Sequence, residues 1–199
     1  IIYATGFDAI TGAFDRIDFQ GVDGLKLKDK WKGGPQTYLG IMVEGFPNMM
    51  MQMGPHTALG NIPRSIEYSV EWVTDLIDYM RKNGKSVIEP TPEAQDQWVA
   101  HVNEVVNTTL MISANSWYMS ANIPGKPRAF LPYLGPEGIG GYRKKCAEVA
   151  AKGEPDDREG GDGEEGQPAP HVDHDHRDHR VGGLTEPVGP GRGHEAEPD

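Results

Sequence analysis

The sequence predicts an α/β fold, on three observations. Met49 to Met53 is a short run, apolar apart from Gln52, that leads into the glycine-punctuated turn Gly54-Pro55-His56-Thr57-Ala58-Leu59-Gly60. Beyond that turn Ile66, Val70, Val73, Ile77 and Met80 recur at helical spacing and define one buried helix face. Two further runs, Ile1 to Gly6 and Tyr38 to Val43, have the composition of strands.

In chain order, residues 1 to 6 form the first expected strand. A strand at this position has its sheet partners elsewhere, so the chain is read as the C-terminal part of something longer. Asp18 to Gly24 is turn-rich, and Leu25 to Trp31 alternates as a half-exposed strand or a short turn would. Tyr38 to Val43 and Met49 to Met53 are the next two strands. Pro63 suits the first turn of a long helix, where a missing N–H costs nothing. That helix ends near Arg81-Lys82-Asn83-Gly84, with cations in its last turn and a glycine after it. Thr91 is the N-cap of a second helix, Pro92 its first residue, and Trp98, Val102, Val105 and Leu110 mark its buried face. A loop spans Ser116 to Lys126. Ala129 to Leu134 follows as a strand-like run that Pro132 confines to a sheet edge. A helix around Tyr142 to Ala151 closes the ordered part.

Two domains of unlike composition follow from the charge distribution. Of the 30 acidic residues 14 lie in residues 154–199, against 4 of the 19 basic ones, so most of the formal charge of −11 sits there. All Trp, Tyr, Phe and Met residues precede it. Residues 1–152 are therefore near-neutral globular material. Residues 153–199 bury too little apolar surface to offset their ordering entropy, and disorder is predicted.

The net acidity by itself says nothing about a nucleic-acid partner, but no basic patch with interleaved aromatics is present, and no such partner is expected. No apolar run approaches the roughly 18 residues that a membrane span needs. With one cysteine there is no intrachain disulfide, and a soluble, cytoplasmic, monomeric protein is expected. Cys146, on a short helix, reads as a buried structural thiol rather than a nucleophile.

A strand, a glycine-rich turn and a helix N-terminus present backbone N–H groups and the positive helix end to a ligand. The same residues also make a plain βα connection, and both readings stand. His56, inside the turn, is a turn residue first and a general base only as an alternative. Trp117 offers a flat apolar face and one N–H donor, and is otherwise a packing anchor. Lys126 and Arg128 can reach phosphate oxygens or stay solvated. The tract His171-Val172-Asp173-His174-Asp175-His176-Arg177-Asp178-His179 has metal-binding side chains, though no dedicated site is assigned.

Several of these segments, taken together, resemble one family. Ala4-Thr5-Gly6-Phe7-Asp8 is similar to the strand end of flavoprotein monooxygenases with two dinucleotide-binding domains. Phe46-Pro47-Asn48, Gly54-Pro55 and Ala58-Leu59-Gly60-Asn61 resemble the flavin-side segment of Baeyer–Villiger monooxygenases. Ser116-Trp117-Tyr118 and Ala121-Asn122-Ile123-Pro124-Gly125-Lys126 resemble their substrate and nicotinamide loop. The resemblance covers residues 1 to 152. It implies the C-terminal portion of a Rossmann-like flavoprotein that uses FAD, NADPH and O2 to insert oxygen beside the carbonyl of a small ketone, giving an ester or lactone. It further implies that Gly6, Gly54, Asn61 and Ile62 line the flavin, and that Trp117, Asn122 and Lys126 serve the nicotinamide cofactor. Ala58, Leu59 and Gly60 would face the substrate.

Neither G-x-G-x-x-G fingerprint of that family is present, nor is the segment carrying its catalytic arginine, so no catalytic residue is assigned. The chain is thus expected to supply one wall of a flavin site and to be inactive by itself. Two alternatives remain at this level. One is a fragment of an N- or S-oxidising flavin monooxygenase. The other is a non-catalytic truncated product or binding module with a metal-avid tail.

Overall fold

A computed structural model describes residues 1–3, 6–135 and 137–153. Ala4, Thr5, Pro136 and residues 154–199, which hold the expected tail domain beyond Gly153 and its His-rich tract, lie outside the described residues. Among the described residues five α-helices follow in order: α1 (Thr11–Phe14), α2 (Leu27–Lys30), α3 (Ile62–Lys82), α4 (Pro92–Asn107) and α5 (Gly138–Gly153). Short 3-10 turns lie between them, among them Leu110–Ser113 and Trp117–Met119.

Among the described residues no segment forms a strand, and pairing is limited to three isolated bridges. The β half of the expected α/β pattern is therefore not seen here. A strand is a relation between segments, and β-rich composition does not create one without a partner. Tyr38 to Val43 closes on itself: the N–H groups of Ile41 and Met42 donate to the Tyr38 carbonyl, and Tyr38 donates back to Met42. Leu39 and Gly40 make that turn at φ 54° and 68°. Gly40 is required there, because a Cβ would stand 2.5 Å from Thr57 Cγ2 and 2.8 Å from the Pro55 carbonyl oxygen. Met49 to Met53 is also irregular, flanked by Asn48 and Met53 at φ 60° and 54°. Asn48 instead takes the place of a strand partner for residues 86–88. Its carboxamide oxygen accepts from Ile88 N–H at 3.0 Å, and its amide nitrogen donates to Ser86 O at 3.0 Å. Leu25 to Trp31 passes from one bridge residue, Lys26, into α2.

One of these bridges, Ala58 with Tyr133, belongs to a short parallel ribbon. His56 N–H donates to Leu131 O, Tyr133 N–H to Thr57 O at 2.8 Å, and Leu59 N–H to Tyr133 O. Leu131 also donates to Tyr118 O at 2.8 Å, and Ala129 to Met119 O. Residues 129–133 are thus flanked on both sides, which corrects the expected edge position. Pro132, which has no N–H, sits where the chain's donors switch sides.

The two long helices begin with side-chain caps. Asn61 Oδ1 accepts from Arg64 N–H, and Thr91 Oγ1 accepts from Ala94 N–H. The inward face of α3 differs from the expected one. Ser69, Trp72 and Met80 are buried, whereas Ile66, Val70 and Ile77 stay 38%, 46% and 36% exposed. Two bonds to α5 select this face, Trp72 Nε1 donating to Cys146 O and Tyr68 Oη to Arg143 O, both at 3.0 Å. The helix is apolar over more than half its circumference, and periodicity cannot say which part finds a neighbour. In α4 Trp98, Val102 and Val106 are buried. Val105 is partly buried and Leu110 fully outside, since the helix ends at Asn107. Cys146 is buried against this core, and burial pushes its thiol up to about 12, as suits a packing residue. No helix among the described residues is long and apolar enough to cross a membrane.

Candidate functional site

The residues singled out in the sequence fall into two groups. The first lies around the N-terminal segment and the Trp117 loop. Trp117 is 37% exposed, and its ring lies 4.0 Å from that of Tyr118 at a 30° tilt, giving a partly open aromatic platform. The loop is turned back at Ser120, φ 53°, and closed by Ala121 N–H donating to Ser116 O. Asn122 Nδ2 donates to Phe7 O at 2.8 Å, and Gly6 lies beside it, 3.6 Å from an added Cβ to Nδ2. Lys126 Nζ reaches Asp8 Oδ1 at 2.6 Å, Thr11 Oγ1 at 2.9 Å and Asp15 Oδ2 at 3.0 Å. Burial opposes its charge, but the bonds to the two carboxylates outweigh that, and its pKa is raised. The structure therefore brings Gly6, Asn122 and Lys126 together at the N-terminal segment, with Asn122 and Lys126 on the loop that also carries Trp117.

The second group runs through the ribbon to the start of α3. Gly54 packs against the turn at Gly40, whose carbonyl oxygen would lie 2.5 Å from a Cβ at Gly54. Ala58 is buried within the ribbon and Leu59 half-buried. Gly60 is exposed but meets α5: a Cβ there would lie 2.2 Å from Ile139 Cδ1, so a larger residue would require the Ile139 side chain to shift. Asn61 and Ile62 are exposed at the helix start. Asn61 caps the Arg64 N–H, and Pro63 carries none, so the Ile62 N–H is without a hydrogen-bond acceptor among the described residues. An open helix N-terminus with a spare donor fits a carbonyl or anionic ring edge of a bound group.

His56 belongs to the packing of this second group. It is 4% exposed, at φ 71°, with Nδ1 3.1 Å from Thr37 Oγ1. Thr37 gives its own proton to Pro55 O at 3.0 Å and so accepts from the imidazole. Burial pushes the imidazole down to about 4, against a weaker upward pull from the Phe130 carbonyl. It is a neutral, buried pin between the ribbon and the Gly40 turn, without the exposure a general base needs.

Sequence reasoning left Asp15, Thr11 and Thr37 unassigned. Nothing local distinguishes them, because their partners lie 18 or 19 residues away for Thr37 and more than a hundred for Thr11 and Asp15. Asp8 was within reach, since it ends the Ala4-Thr5-Gly6-Phe7-Asp8 segment. Among the described residues no cluster of three or more His, Cys, Asp or Glu is arranged to hold a metal.

No family model matches the chain. Individual proteins do. An acetone monooxygenase (methyl acetate-forming) of Gordonia sp. strain TY-5 is 46% identical over 156 residues, 77% of this chain and 29% of that protein. A Baeyer–Villiger monooxygenase of Pseudooceanicola batsensis is 44% identical over 153 residues, covering 77% and 28%. A phenazine N-monooxygenase of Lysobacter antibioticus is 40% identical, covering 75% and 27%. Among solved structures, cyclohexanone monooxygenase from Rhodococcus sp. Phi1 bound to NADP+ superimposes with a TM-score of 0.73 at 43% identity, over 75% of this chain and 28% of that one. A complex named OTEMO with FAD and NADP gives 0.70 at 39% identity, over 77% and 28%. The chain thus spans less than a third of the length of each of these relatives.

Proposed function

We infer that this chain, homologous over three quarters of its length to Baeyer–Villiger monooxygenases, is one part of such an enzyme. In the intact protein it supplies a wall of the site in which FAD, NADPH and O2 convert a small ketone to an ester or lactone. The observation that carries this reading is the 46% identity to an acetone monooxygenase, which extends over the ribbon, α3 and the Trp117 loop together. The uncovered apolar stripe Ile62, Ile66, Val70 and Ile77 along α3 supports the view that more polypeptide packs here in the intact protein.

The residues present fit the two cofactors. When bound, NADPH would supply a hydride and the flavin so reduced would supply the chemistry with oxygen. The open N-terminus of α3, at Asn61 and Ile62, is placed to stabilise negative charge on a ring edge through the spare N–H and the helix dipole. Gly54 keeps the backbone behind that end closely packed, and Gly6 allows the N-terminal segment to approach without a side chain. The exposed face of Trp117 offers a stacking surface to a nicotinamide, while Asn122 and Lys126 order the loop that carries it. Leu59 and Gly60, in the second group just before Asn61, are the residues left to face a ketone, with buried Ala58 beside them. The pyrophosphate cradle is not among these residues, so the FAD is held mainly by other polypeptide.

The phenazine N-monooxygenase relative favours oxidation of a ring nitrogen as the second reading. The intact protein, supplied with NADPH and air, is offered cyclic and acyclic ketones in one series and tertiary amines and aromatic N-heterocycles in another. Ester or lactone formation on ketones supports the first reading. N-oxide formation with no ketone turnover would replace it with the second.

A further inference from the structure

We propose that Lys126, with Asp8 and Asp15, is a positioning clasp that locks the Trp117 loop to the N-terminal segment, and that Lys126 is not a phosphate ligand. The inference rests on the functional reading above and deepens it.

The geometry leaves the ammonium no free donor. Its three N–H groups meet Asp8 Oδ1 at 2.6 Å, Thr11 Oγ1 at 2.9 Å and Asp15 Oδ2 at 3.0 Å. The side chain is 19% exposed, so these bonds are better shielded than an ordinary surface pair. One positive charge faces two carboxylates, and the cluster as a whole is negative. A cofactor phosphate arriving there would have to displace a carboxylate and would be repelled by the other.

The contacts span 111 to 118 positions of sequence, so they close a very long loop, and they are not alone. Asn122 Nδ2 adds a bond to Phe7 O at 2.8 Å on the same N-terminal segment. Arg128 braces the opposite side, donating to Ile112 O at 2.6 Å, Ala114 O at 2.8 Å and Asn115 Oδ1 at 3.3 Å. The segment carrying Trp117 is therefore held from both directions by the two cations that follow it. The surface resembling a flavin-side strand end and the surface resembling a nicotinamide loop are tied into one unit. Loss of the tie is expected to let Trp117 wander relative to the flavin, which shows as loss of coupling and of NADP+ affinity while FAD stays bound.

The test uses the intact protein containing this chain, in four forms: wild type, Lys126→Gln, Lys126→Arg, and the double variant Asp8→Asn/Asp15→Asn. NADP+ affinity, hydrogen peroxide released per NADPH oxidised, FAD content and melting temperature are read on each. The clasp predicts that Lys126→Gln and the Asp double variant shift peroxide release and NADP+ affinity in the same direction, by roughly threefold to tenfold, with FAD retained. Lys126→Arg restores most of the wild-type coupling, and combining Lys126→Gln with the double variant adds little. A phosphate ligand predicts opposite signs: Lys126→Gln weakens NADP+, and the Asp double variant, which frees the ammonium, tightens it. Opposite signs, or coupling unchanged in Lys126→Gln, overturn the proposal.

Amide hydrogen exchange of residues 116–122 without any cofactor gives a readout independent of activity. The clasp predicts faster exchange in Lys126→Gln and in the Asp double variant, and unchanged exchange overturns it. If the wild type neither binds FAD nor oxidises NADPH, the functional reading fails, and the exchange measurement still decides the clasp.

Discussion

Acid should destabilise this protein through His56, and the size of the effect follows from its burial. The imidazole titrates at about 4 in the folded chain against an ordinary value of 6.5. Between those values the unfolded state binds a proton that the folded state refuses, so stability falls as pH falls. The contribution is fully present above pH 6.5 and is lost progressively down to about pH 4. At about 1.4 kcal/mol per pH unit, the loss is about 1.4 kcal/mol by pH 5.5 and about 3 kcal/mol at the bottom of the window. His101 carries a downward shift of the same sign, from burial and from Lys145, so the wild-type curve alone does not isolate His56. Urea denaturation of wild type and His56→Gln at several pH values between 7.5 and 4.5 does, because the His101 contribution cancels in the difference. His56→Gln is expected to be less stable at pH 7.5, where the bond to Thr37 is lost, and to converge on wild type as pH falls. Parallel curves, or an imidazole that titrates above 6 by NMR, would refute the reasoning.

Other substitutions separate the covered from the uncovered parts of the fold. Trp72→Ala, which removes a buried indole bonded to Cys146 O, should cost about 3–5 kcal/mol, whereas Val70→Ser on the open stripe should change the stability of this chain by less than about 1 kcal/mol, both read by urea denaturation. Trp117→Ala in the intact enzyme should lower NADPH use roughly tenfold to a hundredfold and raise peroxide release while FAD stays bound; joint loss of flavin and melting temperature, with coupling unchanged, would make Trp117 a packing anchor. This chain by itself should bind FAD weakly or not at all, because the pyrophosphate turn is missing, and a stoichiometric yellow preparation would contradict that.

Local chemistry was the legible part of this fold. Pro63 and Thr91 announced the starts of α3 and α4, Gly84 the stop of α3, and Cys146 its own burial, because each is decided within a turn of helix. The Trp117 loop was legible as a motif for the same reason. What depended on distant partners was not. Tyr38 to Val43 and Met49 to Met53 have strand composition, yet they close into turns because Leu39, Gly40, Asn48 and Met53 take left-handed conformations. The ribbon forms instead from the His56 to Leu59 stretch, which read as a turn. The apolar period of α3 was read correctly as a period. Its inward face was fixed by Trp72 and Tyr68 bonding to α5, about 75 residues away. Lys126 offered a cation to a phosphate in the sequence, and only the fold reveals that Asp8 and Asp15 already hold it.

The central claim, that this chain is part of an enzyme that inserts oxygen beside a ketone, is tested most directly by isotope. The intact protein is incubated with NADPH, a cyclic ketone and oxygen-18 gas, and the product is analysed by mass spectrometry. A lactone carrying one heavy oxygen in the ring position, with the original carbonyl oxygen unlabelled, is the predicted result. Unlabelled lactone, or NADPH consumption that yields hydrogen peroxide or an N-oxide but never a lactone from any ketone, would contradict it.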